Sequence, residues 1–553
     1  MADSILNIMR NFNVTGLCVP GSHYMADTGE KISKIMQFVE NGSYFSINRG
    51  RQYGKTTTFN LLEKQMPKEY SVIKISFEAV SDSMFEAEAN FCQGLLNQCA
   101  KNLRFKELPE AEDWKDDSVT DFDLLDDFLT KICRGKKIVL MIDEVDKSSN
   151  NVIFLKFLGI LRDKYLRRNA GDDYTFQSVI LAGVYDIKNL KLKMIQAGTH
   201  QLQDSEKRIN SPWNIAINFS VDMSLSVKEI ASMLTEYEKD HKTGMDIETI
   251  AKEIRNYTSG YPYLVSRICQ EIEEEGGRNW TIQGVQNAVN QILVEKSTLF
   301  DDLFKNVKSY PDLKELLWEL TVGDRFYRYN IDNQAIELGY TFGIVEPRGN
   351  LVAIHNRIFE VRITNYFASE KDASENSLKL RASGRGIAGK DNLDMALLLQ
   401  KFASHYYEIY NARDINFLER ECRMLFITYL RAVINGSGFY YLENETRDGE
   451  RTDVIVDYGT EQFIVELKLW RGEVAHEEAY QQLSDYLDYK NKDTGYLLTF
   501  DFRKKKNAGK PKTNWVEYRG KKIFDVIVGI GPTTKRKPSP PKKSQAPAKK
   551  TKC

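Results

Sequence analysis

The stretch Tyr44-Phe45-Ser46-Ile47-Asn48-Arg49-Gly50-Arg51-Gln52-Tyr53-Gly54-Lys55-Thr56 decides how this chain is read. Tyr44–Ile47 is a short apolar run of strand character. A turn of glycines and polar residues follows, and a helical run begins at Thr57. Gly54-Lys55-Thr56 therefore sits where a strand hands over to a helix. At such a place backbone N–H groups and the positive end of the helix dipole point at one spot, and glycine lets a ligand approach the main chain. Lys55 would reach the outer phosphates of a polyphosphate, and the Thr56 hydroxyl would ligate Mg2+. One departure from the usual spacing is visible: the first glycine is expected at the position of Arg49, and Gly50 stands one place later. An ordinary turn is the alternative reading.

A second motif favours the phosphate reading. Lys137-Ile138-Val139-Leu140-Met141-Ile142-Asp143-Glu144 is an apolar strand ending in two acids, the Walker B form. Asp143 would hold Mg2+ through water, and Glu144 would polarise an attacking water. Gly50, Gly54, Lys55, Thr56, Thr57 and Asp143 are thus the expected cofactor-binding residues, for ATP with Mg2+. Asp186 stands where a sensor residue would sit, but helix capping is its plainer role. Arg267 could touch a γ-phosphate or be a surface charge. Arg162, Arg167 and Arg168 could serve a neighbouring subunit, although a solvated helix face explains them more simply.

Outward from the loop, strand-like runs at Tyr44–Ile47, Val72–Phe77, Ile138–Ile142, Val179–Val184 and Asn214–Phe219 alternate with helix-length segments. That alternation predicts a parallel sheet with helices on both faces. Helices are expected at Val227–Tyr237, Ile247–Asn256, Tyr263–Glu274, Thr281–Glu295 and Leu313–Leu320, then a hairpin over Leu338–Ile354 with strands either side of Arg348-Gly349-Asn350. Helices followed by a hairpin suggest a lid and a winged-helix-like module. Ser369 to Lys390 reads as a linker.

Structure resumes near Leu393 with a helix at about Ile415–Ile434 and strands near Tyr440–Glu443, Asp453–Tyr458 and Phe463–Leu469. A helix at about Glu477–Tyr489 and strands at Tyr496–Phe500 and Lys522–Val528 complete a second α/β unit. Two strands flank the turn Tyr458-Gly459-Thr460, which brings Asp453 near the Glu466 end of the next strand. Strand alternation puts Glu466 and Lys468 on one face. Two carboxylates and an ammonium are what metal-assisted phosphodiester hydrolysis requires: the acids hold Mg2+ and the lysine orients water. Gln482 and Tyr486 lie one turn apart on the following helix, and Gln482 would support the site or be an ordinary surface amide. Glu421, Glu445 and Arg451 are further residues at its edge, with ion pairing as the alternative for Glu421. Glu-x-Lys on a surface strand is more often solvated decoration.

The bulk numbers bound the answer. At 553 residues the chain exceeds one core, and roughly three or four domains of about 150 residues are expected. A net charge of −1 says nothing of partners; only local distribution can. Seven cysteines without a Cys-x-x-Cys pair argue against structural zinc and a secreted disulfide framework. No signal segment and no span for a bilayer is read, so the expectation is intracellular and cytoplasmic. The tail from Lys535 carries eight basic residues and no acid. It would add salt-sensitive phosphate contacts, give a nuclear address in a eukaryotic host, or be a solubilising disordered end.

These motifs together resemble the AAA-ATPase-like proteins that carry a C-terminal PD-(D/E)XK nuclease domain. The resemblance runs through Tyr44–Thr58, Ile138–Asp146, Ser259–Leu264, Glu421–Gly436, Arg451–Gly472 and Gln482–Tyr486. It implies an α/β multidomain protein: a P-loop NTPase core over 1–225, a helical lid and winged-helix-like domain over 226–367 and a linker at 368–392. A restriction-endonuclease-like domain over 393–530 and a disordered basic tail at 531–553 follow. It implies Mg2+ at Asp453 and Glu466, catalysis by Lys468 and support from Gln482. Thr452 replaces the proline usually written before the first acid. The expected activity is ATP hydrolysis controlling a DNA nuclease, with nucleic acid as partner, no membrane, and room for a homo-oligomer. A switch ATPase whose C-terminal domain binds nucleic acid without cutting is the alternative. A nuclease whose nucleotide is purely structural is a third reading.

Overall fold

The computed structural model describes residues 10–78, 80–147, 152–184, 213–217, 219–322, 325–372, 387–389, 392–410, 419–434, 438–442, 454–459, 461–501 and 511–529. The chain divides into two compact units, Met1–Thr321 with Arg325–Ile363, and Val322–Asp324 with Thr364–Cys553.

The first unit opens with α1 (Gly29–Glu40), β1 (Phe45–Asn48), α2 (Lys55–Gln65), β2 (Tyr70–Ser76), α3 (Glu88–Phe105) and α4 (Phe122–Cys133). β3 (Lys137–Asp143), α5 (Val152–Ala170) and β4 (Ser178–Gly183) follow. The four strands form a parallel sheet in the order β1-β4-β3-β2. Strand alternation sorts the side chains: Val139, Met141, Ile180 and Ala182 meet Ile35 of α1 and Phe59 and Leu62 of α2 on one face. Ile138, Leu140, Ile142, Val179 and Leu181 meet Phe91, Leu95, Phe157 and Leu161 on the other. Strands buried on both faces read as continuous apolar runs, which is why they were legible. The strand expected over Asn214–Phe219 shrinks, in its described part, to a single bridge of Ile217 to Phe45.

Five helices come next: α6 (Val227–His241), α7 (Ile247–Thr258), α8 (Pro262–Glu274), α9 (Ile282–Val294) and α10 (Thr298–Ser309). Their starts follow local chemistry. Ser226 and Glu229 form a reciprocal capping box, and Asp246 and Thr281 each cap the next helix with a side-chain oxygen. α11 (Pro311–Thr321), α12 (Gln334–Thr341), β5 (Val345–Arg348), β6 (Leu351–Ile354) and α13 (Arg357–Asp372) complete the series. Two expectations are corrected here. Leu338–Thr341 belongs to a helix capped by Asn333, so the hairpin starts only at Val345. Residues 369–372 continue α13 rather than opening a linker; 373–386 lie outside the described residues.

The second unit holds α14 (Met395–Tyr410), α15 (Glu419–Ile434), β7 (Gly438–Leu442), β8 (Val454–Tyr458), β9 (Glu461–Leu469), α16 (Glu473–Tyr489), β10 (Thr494–Asp501), β11 (Lys512–Tyr518) and β12 (Lys521–Gly529). Its mixed sheet runs β11-β12-β10-β9-β8-β7, with β9, β10 and β12 mutually parallel. One face packs Val456, Val465, Leu498, Phe500 and Val526 against Leu398, Phe402, Phe426 and Leu430 of α14 and α15. The opposite face lies under α16, whose Leu483 and Leu487 approach Gly495 closely enough that a side chain there would collide. Among the described residues no helix is long and apolar enough to cross a membrane. The six described cysteines are free.

Candidate functional site

The loop 49–54 bends at Gln52 and Gly54, both with positive φ (57° and 80°), and delivers the chain to α2. Gly54 precedes the first helical residue, so Lys55 begins the helix. Lys55 is buried and its Nζ donates to the carbonyls of Arg49 (2.9 Å) and Gly50 (3.1 Å). Burial pushes its ammonium below the usual lysine range, opposed by the charges of Glu144, Asp146 and Asp143. Thr56 Oγ1 donates to Asp143 Oδ2 at 2.7 Å. The two hard oxygen donors expected to share a magnesium ion thus converge from different elements, and their chemistry fits that ion. Thr57 Oγ1 accepts from the Cys18 amide at 3.3 Å.

Glu144 adopts a left-handed conformation (φ 54°) just past β3, and its amide donates to Asp143 Oδ1 at 3.0 Å. Burial, with Asp143, Asp146 and Glu78 nearby, raises its carboxyl above the usual range. Two cavities flank the loop. One of about 160 Å3 is lined by Cys18, Tyr24, Lys31, Tyr53, Thr57 and Met223 among others. The other, about 440 Å3, is lined by Glu144, Asp146, Glu78, Arg51, Asp302 and Lys305 among others. Asp146, which is not among the site residues expected from the sequence, lines this cavity and accepts from the Val184 amide at 2.5 Å. Its place three residues after Asp143 was the available signal.

Residues 21–368 match the AAA-like domain family over more than half the chain. The chain belongs to that family. Its N-terminal part has the P-loop NTPase fold. Three solved structures are similar to this AAA-like protein. The Walker-type ATPase of Pyrococcus abyssi is 13% identical, covering 64% of this chain and 99% of its own, with TM-score 0.43. The ORC2 protein of Aeropyrum pernix, in ADPNP–ADP complexes, is 11% identical over 63% and 94%, with TM-score 0.35. A K64R mutant of Thermotoga maritima RuvB is 12% identical over 60% and 92%, with TM-score 0.30. No curated protein matches the chain.

Three of the four arginines considered for the AAA-like part, Arg267, Arg167 and Arg168, have other work. Arg267 of α8 pairs at 2.7 Å with both Glu271 of the same helix and Glu295 at the end of α9. Arg167 pairs with Asp126 and Asp163, and Arg168 donates to the carbonyls of Gly42, Phe176 and Gln177. Arg168 is therefore a main-chain clamp rather than a solvated charge. Asp186 lies outside the described residues.

In the second unit, Glu466 is fully buried on β9 and Lys468 Nζ lies 2.8 Å from its Oε1. Both project from the α16 face, opposite the Val465 and Leu467 core. Val454 is registered with Val465, next to Glu466. Asp453, Arg451 and Glu445 lie outside the described residues, as does the side chain of Glu421. Among the described residues no three acids, histidines or cysteines gather to hold a metal. Gln482 is on α16, on the helix flank away from Tyr480. A trio that the sequence did not suggest sits on that other flank: buried Asp525 of β12 meets His476 Nε2 (3.0 Å) and accepts from the Tyr480 hydroxyl (2.8 Å).

Proposed function

We propose that this protein hydrolyses ATP at the loop of β1 and α2, and that its nucleotide state controls phosphodiester hydrolysis of DNA by the C-terminal unit. The observation that carries the first half is the approach of Thr56 to Asp143 beside the buried Lys55, with Glu144 next in the chain. Lys55 would leave the loop carbonyls for the outer phosphates, and Gly50 and Gly54 would let the backbone come close to them. The smaller cavity, with Tyr53 and Thr57 in its wall, is of a kind that suits a nucleoside. Glu144 would take the proton of the water that attacks phosphorus as the bridging P–O bond breaks. Its raised carboxyl fits that task, because a base of higher pKa is stronger. Bound magnesium, held by Thr56 and Asp143, would neutralise charge on the phosphates.

The second half rests on the Glu466–Lys468 pair. A fully buried carboxylate next to one lysine is costly unless it is used. In this reading Glu466 and Asp453 are metal ligands, Lys468 orients the attacking water, and Gln482 supports the phosphate. The described side chains supply a single acid at that place, so no step is derived through a metal there. We assign 226–367 to a lid and winged-helix-like module, and 393–530 to the nuclease domain.

The test is plasmid DNA with Mg2+, with and without ATP, using wild type, Lys55→Ala and Lys468→Ala. Lys468→Ala should lose cutting and keep phosphate release. Wild-type cutting by that variant would end the nuclease reading. ATP-dependent DNA binding with no cutting by any form would favour the switch ATPase.

A further inference from the structure

The loop that begins at Arg49 lacks the usual first glycine, yet four of its consecutive residues are held from outside. Gly50 packs under the Phe342 carbonyl, so closely that a Cβ there would lie 2.6 Å from its oxygen. The Arg51 carbonyl accepts from the Tyr261 hydroxyl at 2.5 Å, and the Arg51 side chain pairs with Asp302 at 3.1 Å. Gln52, in its left-handed conformation, donates to Thr298 Oγ1 at 3.1 Å. The Tyr53 hydroxyl shares a 2.8 Å hydrogen bond with His355 Nε2.

These contacts differ in weight. Arg51–Asp302 is largely solvent-exposed and contributes little. The Tyr53–His355 bond is buried, and its rings cross almost at right angles (87°) with centroids 5.8 Å apart. Tyr261 packs on the same Tyr53 ring at 4.7 Å. Tyr53 itself forms part of the wall of the smaller cavity. The imidazole is thus linked to that cavity wall through one side chain.

We infer that His355, with Phe342 and Tyr261, belongs to the nucleotide site as a set of positioning residues: they hold the bent loop in a phosphate-ready shape that its own glycines do not secure. This rests on the nucleotide reading above. A loop ordered in advance loses less freedom when phosphate arrives, so loosening it should weaken binding more than turnover. By reciprocity, bound nucleotide should tighten the His355 segment.

The experiment uses the full chain and a fluorescent ATP analogue, with His355→Phe, His355→Gln, Tyr53→Phe and the double variant Tyr53→Phe/His355→Phe. His355→Phe should weaken binding roughly tenfold while kcat stays within about twofold. The double variant should lose less than the two singles combined, because they share the Tyr53–His355 contact, while the Tyr53 hydroxyl also meets Ser224 Oγ at 3.2 Å. His355→Gln, which keeps a polar partner, should recover part of the loss. Hydrogen exchange of residues 49–54, measured without nucleotide, should quicken in His355→Phe. Wild-type affinity in His355→Phe, additive losses in the double variant, or unchanged exchange at 49–54 would each overturn the inference. Failure of wild type to bind the analogue, with exchange still quickened, would instead overturn the nucleotide reading.

Discussion

Thr56 and Asp143 stand 87 positions apart in the chain and 2.7 Å apart in space, hydroxyl to carboxylate. One stands in the first turn of α2 and the other ends β3, so the parallel sheet brings them together. On the nucleotide reading proposed above, removing either oxygen takes away a ligand for magnesium without disturbing the core. Asp143→Asn and Thr56→Ala should therefore melt near wild type while lowering ATP hydrolysis on the order of a hundredfold or more. Phosphate release and thermal melts, run together, check this.

Gly260 connects α7 to α8 at φ 74°, and its carbonyl accepts from the Leu225 amide at 2.7 Å. A Cβ there would overlap the Leu225 main chain. Backbone cannot yield as a flexible side chain would. Gly260→Ala should cost about 2 kcal/mol or more, adding left-handed strain to overpacking. A lower urea midpoint would register it, and an unchanged midpoint would count against the observed packing.

His355 is buried, and that burial, with Arg255 and Arg348 nearby, lowers its imidazole pKa from 6.5 to about 3. The unfolded chain therefore binds a proton below about pH 6.5 that the folded chain refuses. Stability from this group is whole above that pH and is lost as pH falls toward 3, by about 1.4 kcal/mol per unit at most. Glu346, 3.8 Å from Nε2, has its carboxyl raised by burial, so the folded chain takes up that proton first and offsets part of the loss as pH falls. The difference in melting temperature between wild type and His355→Phe should change progressively from pH 6.5 to 4.5, in the direction that favours the variant.

Glu466 is completely buried beside Lys468. Truncating the lysine leaves a buried carboxylate uncompensated, which costs about 3 kcal/mol. Lys468→Ala should thus melt lower than wild type, and Glu466→Gln/Lys468→Met should recover most of the loss. If the double variant is no more stable than Lys468→Ala, the pair does not interact as its geometry states.

The ATPase half was legible because its motifs are local. A strand, a glycine turn and a helix start at Lys55 lie within a dozen residues, and β3 announces itself by an apolar run ending in Asp143. Helix starts were legible where caps are short-range, as at Ser226. The start of the hairpin was misjudged because apolar residues at Leu338 and Ile344 fit a short strand as well as a helix; Asn333, capping from five residues upstream, decided it. α10 and the edge strand β11 went unread. The latter's alternation of Lys512, Thr513, Asn514 and Trp515 is mostly exposed, and an edge strand carries little apolar signal.

Local order along the chain was enough to determine that a parallel αβ core exists, that Lys55, Thr56, Asp143 and Glu144 belong to it, and that Glu466 and Lys468 share a strand face. Period and turn chemistry act over a few residues, and both operate before any long-range contact forms. Only the folded chain decided what holds the loop: Tyr261, Thr298, Phe342 and His355 reach it from 210 to 302 positions away. No periodicity encodes a meeting at that separation, because it depends on how helices and hairpin close over the sheet.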